Sequence, residues 1–452
     1  MRIRRDVLAL TTPVFFEQLF VNLLGTVNTI MAARIGRDAV SAIGMVDSIN
    51  LIVSSLFSAL AIGATVVVAQ CIGRGERARA GAAASQALVV CGLLAVLLGA
   101  LGALLREPLL AWLYGSPGAT VQGYMHEYLL ITALTYPLTA LTLIASGALR
   151  GAGETRLAMQ ANTLMNVLNV LFSYVLIYGM HLRTEWFVLD VAGHGVAGAA
   201  VAISLARLGG ALYLFAMLQR HHHLLPLRLA GFRFDLSLLR AVFAIGIPSS
   251  VESLVFNGGK LLVQIMVVGM GTVAIAANFI GFSISMLLNI PGNALAVALT
   301  TLVGQAIGRG DETGAERDMW YVLKLASVAM LGIAIVCAPL AEWIVGLYSQ
   351  DAEVISLGAT LVRLNCLFLI AFPSTFVLPN GLKGAGDARY AMLTTLVGLC
   401  LFRLGLAWLF GVTFGWGVTG VWLGMFTDWL VRSGLYLARL SGGRWKGRRL
   451  VS

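Results

Sequence analysis

Two glutamates stand where a chain this apolar has least reason to keep a charge. Glu17 and Glu252 each follow a proline by four residues, in Pro13-x-x-x-Glu17 and Pro248-x-x-x-Glu252. An ionised side chain in hydrocarbon costs about 2.5–3.5 kcal/mol on insertion scales, so an acid kept there points to function. Desolvation disfavours the charged form, which lets such a group hold a proton near neutral pH and lose it when water enters. The prolines remove helix hydrogen bonds and free backbone carbonyls nearby. Together these features suit a proton- or cation-coupling site, with a structural, ion-paired glutamate as the plainer reading.

The surrounding composition says what must position them. Hydrophobic residues make up 59% of the 452 and charged residues 12%, with a mean hydropathy of +0.87. Ordinary globular chains run near 45–50% and about 25%, so a soluble fold, a coiled coil and a disordered chain are all excluded. Twelve apolar stretches are long enough to span about 30 Å of hydrocarbon, at roughly 7–33, 39–71, 81–105, 121–147, 157–180, 195–218, 240–269, 273–305, 318–345, 354–381, 389–412 and 415–438. The expected fold is therefore an all-α polytopic membrane protein of twelve spans. Alternating barrel strands are absent.

The net charge of +10, from 31 Lys+Arg against 21 Asp+Glu, reflects topology rather than nucleic-acid binding. Placing both termini in the cytoplasm puts 21 basic residues on that side, among them Arg2, Arg74, Arg150, Arg228, Arg309, Lys383 and Arg448, against Arg34, Arg37, Arg106 and Arg183 outside. Residence in the cell's inner (plasma) membrane with cytoplasmic termini follows as an expectation, and the lipid bilayer as the standing partner. No cleavable leader is apparent. The five cysteines lie in apolar stretches without metal-ligand spacing and read as small hydrophobes. His221-His222-His223 reads as a solvated loop tract. No cofactor, metal or nucleophile elbow is indicated.

The sequence is also duplicated. Gln70-Cys71-Ile72-Gly73-Arg74-Gly75 returns as Gln305-Ala306-Ile307-Gly308-Arg309-Gly310, at the same offset of 235 residues that relates the two glutamates. Leu149-Arg150-Gly151-Ala152-Gly153-Glu154 returns as Leu382-Lys383-Gly384-Ala385-Gly386-Asp387, offset by 233. Two six-span halves follow, 1–219 and 239–452 joined by a cytoplasmic linker 220–238, related by a pseudo-two-fold axis along the membrane normal with a cavity between them. The glycine-basic turns read as cytoplasmic helix ends.

The order of these motifs, with Asn166-x-Leu-Asn169 and Gly195-Val196-x-Gly198, resembles the multidrug and toxic compound extrusion (MATE) family across nearly the whole chain. The resemblance implies cation-coupled efflux of amphipathic, often cationic, small molecules by a monomer, and an essential acid at Glu252. The chain departs from that pattern in the N-lobe. Many relatives carry Asp where Asn28 stands, and some where Ser173 stands; neither can titrate. No span-10 acid lies between Phe368 and Asn380. A hard cation wants several carboxylate oxygens, so a proton is the favoured coupling ion, with Na+ as the alternative.

Asn22, Asn28, Asn166, Asn169, Asn257, Lys260 and Asn278 are candidates for the substrate cavity, with bonding across helices the plainer reading for Asn166, Asn169, Asn257 and Asn278, and Lys260 is also a candidate for an ion pair with an acid. Arg207, Arg363, Arg403 and Asp428 lie within spans and read as intralobe ion pairs; Asp47 and Glu127 are expected near the outer surface. A lipid-linked oligosaccharide flippase of similar architecture is the competing function, and a membrane-embedded enzyme finds no support.

Overall fold

The computed structural model describes residues 2–115, 118–183, 188–191, 193–220, 225–227, 234–447 and 450; side chains of 2–5, 26, 28–30, 32–33, 180–183 and 188–191 fall outside that description. His221-His222-His223 lies outside the described residues as well.

The first half of the chain forms α1 (Arg2–Ala33), α2 (Arg37–Gly73), α3 (Arg77–Leu104), α4 (Arg106–Tyr114), α5 (Ala119–Leu134), α6 (Tyr136–Ala152), α7 (Thr155–Tyr178) and α8 (Gly195–Arg220). Between α7 and α8 runs a short antiparallel hairpin of β1 (Met180–Arg183) and β2 (Val188–Val191), an addition that hydropathy did not reveal. The second half forms α9 (Leu236–Val268), α10 (Thr272–Leu288), α11 (Ile290–Gly308), α12 (Glu312–Cys337), α13 (Ala341–Gly346), α14 (Ala352–Phe368), α15 (Leu378–Gly384), α16 (Ala388–Val397), α17 (Gly405–Trp408) and α18 (Gly417–Ser441). π-helical turns at Pro373–Val377, Gly398–Leu404 and Leu409–Thr413 carry the chain between α14 and α18.

Among the described residues ten helices are long and apolar enough to cross a membrane, and the α5–α6 pair, bent by 47°, makes an eleventh. The 25-residue α18 is long enough but carries Asp428, Arg432 and Arg439; it completes the expected twelve. Large apolar side chains such as Leu93, Trp112, Phe279, Val328 and Trp343 are more than 60% exposed, a surface that lipid rather than water can cover.

Proline explains where spans break. The run α5–α6 interrupts at Thr135 because Pro137 lacks the amide hydrogen that would continue the ladder. Pro291 does the same between α10 and α11, whereas their repeat counterpart α2 carries no proline and runs unbroken for 37 residues. Span eight, read from sequence as one stretch, is thus two helices.

The chain resolves into two compact units. One contains Phe16–Val68 and Glu76–Val242; the other contains Phe243–Ser452 together with Met1–Phe15 and Ala69–Gly75. In the second, a continuous core includes Val267, Leu299, Met319, Leu361, Trp422 and Tyr436. There the C-terminal tail folds back: Trp445 is fully buried, Lys446 pairs with Glu316 at 2.6 Å, and Gly447 donates its amide to Glu312 Oε1 at 3.0 Å. Of the cysteines, Cys71, Cys91 and Cys366 are buried as expected; Cys337 is half-buried, and Cys400 is exposed on its helix.

Candidate functional site

Each glutamate meets a base, and the base comes from the glycine motif. In the first unit Glu17, 7% exposed, accepts a hydrogen bond from Arg150 Nη2 and another from Asn162 Nδ2 at 2.6 Å, both on Oε1. Its other oxygen, Oε2, has no hydrogen-bond partner among the described residues. In the second unit the Lys383 ammonium lies 2.8 Å from Glu252 Oε2, close but off the hydrogen-bonding direction. Thr395 donates to Glu252 Oε1 at 3.3 Å and lies 3.2 Å from the hydroxyl of Tyr436, which itself donates to the Ala391 carbonyl.

These are two copies of one constellation. Arg150 and Lys383 are repeat mates, and Asn162 and Thr395 stand at the same offset of 233 residues. The glycines explain how the base is aimed. A Cβ at Gly151 would lie 2.4 Å from the Thr65 carbonyl oxygen, and one at Gly384 would lie 2.6 Å from that of Thr300. Thr65 ties α6 to α2 by donating to the carbonyls of Ala61 and Gly147, both at 2.8 Å. Thr300 repeats the clamp on α11 with Ala296 and Asn380, both at 3.2 Å. Backbone contact of this closeness needs small residues at the crossing, and the residue before each glycine is then the base that reaches the acid. So the glycine-basic motifs do more than end a helix: Arg150 and Lys383, read from sequence only as topological markers, belong to the site. The repeat doubles these bases as it doubles the acids, but it doubles Arg156 and Arg389 at the same offset too, so only the packing singles them out.

The asparagine candidates divide. Asn22 and Asn166 donate to backbone carbonyls one turn back, Gln18 at 2.8 Å and Asn162 at 2.7 Å. Asn169 accepts from Ser173 at 3.2 Å. Asn257 is half-buried on α9. Asn278 is fully buried and bonds across helices, donating to Gln264 at 3.0 Å and accepting from Trp422 Nε1 at 2.8 Å. The Asn28 side chain lies outside the described residues. Close by, α1 and α7 enclose a cavity of about 550 Å³ lined by Val27, Met31, Arg34, Leu171, Tyr174 and Tyr178 among others, mostly apolar.

Lys260 has no acid in ion-pair contact among the described residues, because Lys383 holds Glu252; its ammonium lies 4.8 Å from the Phe256 ring centroid. On the other side of the count, Arg403 and Asp428 form the intralobe pair expected. Asp428, with no exposed surface, accepts from Arg403 Nε at 3.1 Å and from Arg432 Nε and Nη2 at 2.7 and 3.0 Å. Arg403 lies in the π-helical turn Gly398–Leu404, and Phe256 packs 5.0 Å from its guanidinium. Arg363 pairs with Glu342 at 2.9 Å on an exposed face. Arg207 is buried and donates to Thr135 Oγ1 at 2.8 Å.

A duplicated bundle of apolar helices, with a matched and largely buried acid–base pair in each half, is the architecture of a membrane transporter rather than of an enzyme. The MatE family model matches twice, over residues 13–175 and 248–409. The chain belongs to that family, and the two matches coincide with its internal repeat. It is similar over its whole length to the "Probable multidrug resistance protein NorM" of Thermotoga maritima, 27% identical and covering 95% of that protein. Multidrug resistance protein PmpM of Pseudomonas aeruginosa is 28% identical over 94% of this chain and 89% of its own. A crystal structure of MATE in complex with MaL6 superposes with a TM-score of 0.89 at 21% identity, over 98% of this chain and 97% of that one. An outward-facing multidrug resistance MATE transporter gives 0.88 at 20%, with the same coverage. These structures share the fold.

Proposed function

We propose that the chain exports amphipathic, cationic organic compounds across the inner membrane in exchange for protons, as a monomer with both termini in the cytoplasm. The observation that carries the reading is the duplicated buried site, Glu17 with Arg150 and Asn162, Glu252 with Lys383 and Thr395. In each pair a single base contacts the carboxylate. When the lobes rock and water reaches the acid, a proton neutralises it and releases the base; a cationic substrate competes for the same carboxylate. The multidrug relatives and the apolar cavity between α1 and α7 support an amphipathic cargo. Each charge moved across 100 mV adds about 2.3 kcal/mol to the pH term.

Inverted membrane vesicles test this. An imposed pH gradient is expected to drive ethidium uptake, and Glu252→Gln to abolish it. Unchanged uptake in both Glu17→Gln and Glu252→Gln would overturn the coupling assignment, and sodium-driven uptake indifferent to pH would replace the proton by Na+. One observation favours a second reading, a flippase for lipid-linked oligosaccharides: Lys260 and Arg403 flank Phe256 in the second unit, a surplus of positive charge suited to a phosphate. Translocation of a lipid-linked sugar phosphate, lost in Lys260→Met, would support it.

A further inference from the structure

Four acids lie at least ten residues from both ends of their helices, and so roughly 15 Å or more along them: Glu17 in α1, Asp47 in α2, Glu252 in α9 and Asp428 in α18. Three of the four touch a base. Glu17 is held by Arg150, Glu252 by Lys383, and Asp428 by Arg403 and Arg432. Asp47 is the exception. Its Oδ1 accepts from the neutral groups Asn50 Nδ2, at 3.1 Å, and Tyr128 hydroxyl, at 3.2 Å. Among the described residues it makes no ion pair.

Its setting is ordered. Asn50 is buried and accepts from the buried Tyr136 hydroxyl at 3.0 Å. Arg207, on α8, acts on Asp47 only through space, its Nη1 being engaged by Thr135 Oγ1 at 2.8 Å. Tyr114, on α4, donates to the Met45 carbonyl at 2.7 Å, one turn before Ser48. The titratable and charged groups that act on Asp47 are therefore Tyr128, Tyr136 and Arg207, from α5, α6 and α8. Asp47 itself is exposed on its unit while these partners run inward from it. A carboxylate exposed on a spanning helix either faces a polar cleft or gives up its charge.

We propose that Asp47 is a further proton-binding acid of the N-terminal half, one met by neutral donors where bases meet Glu17 and Glu252. This deepens the coupling reading above and rests on it. A proton taken from water adds to Oδ2, the carboxylate becomes a carboxylic acid, and Oδ1 goes on accepting from Asn50 and Tyr128. Loss of the proton restores the negative charge beside Arg207.

The test uses the full chain in liposomes with ethidium as probe, comparing uptake driven by a pH gradient with gradient-free exchange of preloaded ethidium. Asp47→Asn is expected to lower gradient-driven uptake at least tenfold while exchange continues, and Asp47→Glu to restore the drive. Gradient-driven uptake of Asp47→Asn equal to wild type overturns the role of Asp47 and leaves the coupling reading standing. A wild type that no pH gradient drives overturns both. Should Asp47→Asn fail to fold, Tyr128→Phe decides: a transport pH midpoint moved by half a unit or more supports the assignment, and an unmoved midpoint counts against it.

Discussion

Lys383 places its ammonium 2.8 Å from the Glu252 carboxylate, with the acid side chain 17% exposed and the lysine 8%. A base just ahead of the glycines of its motif thereby closes on an acid near the middle of a 33-residue helix. Removing one partner of a buried pair leaves an uncompensated charge and costs about 3–5 kcal/mol, whereas removing both is far milder. Lys383→Met and Glu252→Gln are each expected to lower the thermal midpoint in detergent by several degrees. The double variant should recover most of that loss. A double-mutant cycle with no coupling would mean that the contact holds no energy. The same cycle on Arg150 and Glu17 should behave alike.

The crossings that aim these bases allow a sharper test. A methyl group at Gly384 meets the Thr300 carbonyl oxygen at 2.6 Å, and backbone oxygen cannot swing aside as a side chain can. Overpacking of this kind costs about 1–3 kcal/mol. Gly384→Ala should destabilise the protein and cut transport together, because the shifted helix carries Lys383 away from Glu252. Gly44→Ala is the control: nothing lies within 4 Å of the added carbon, and the substitution should leave the thermal midpoint unchanged or slightly raised.

How far the sequence revealed this follows from the kind of signal each feature leaves. Spans are legible because hydrocarbon demands about 20 apolar residues in a row, and the duplication is legible because Gln70 to Gly75 and Gln305 to Gly310 match without gaps. The glutamates were visible as acids in apolar stretches. Their partners were not, because a base at a helix end satisfies the rule for topology equally well; Arg150 and Lys383 could be told apart from Arg156 or Arg389 only by the packing of Gly151 on Thr65 and Gly384 on Thr300. Asn278 was open between two roles for a related reason. A polar residue in a span has the same sequence signature whether it lines a cavity or, as here, fastens Trp422 to Gln264.

The Asp428 triad predicts a contrast between buried and exposed charge. Two guanidiniums, from Arg403 and Arg432, converge on a carboxylate with no exposed surface. Asp428→Asn strands both and should cost about 3–5 kcal/mol, visible as a loss of folded protein on extraction into detergent. Glu342→Gln breaks the pair with Arg363, in which both side chains are close to half exposed or more. Such a pair is worth about 0–1 kcal/mol, so the variant should extract and melt like wild type.

Asp235 gives the fold a pH dependence whose sign can be worked out. It precedes α9, where its Oδ1 accepts from the Ser237 hydroxyl at 2.6 Å and from the amides of Ser237 and Leu238 at 2.9 and 3.3 Å. The Ser237 hydroxyl bond is the foremost reason that the carboxyl is held below the usual carboxylate range; burial opposes it, and the two amides and the Arg79 charge add to the lowering. A group whose folded value is depressed stabilises the fold above its unfolded value, and that stability fades as pH falls through the folded one. Capping of this kind is worth about 1 kcal/mol, so Asp235→Ala should melt earlier than wild type at neutral pH. The difference between the two melting points should hold down to mildly acidic pH and shrink as the carboxyl protonates below the carboxylate range. A gap that stayed constant through that acidic range would mean that Asp235 acts by shape rather than by charge.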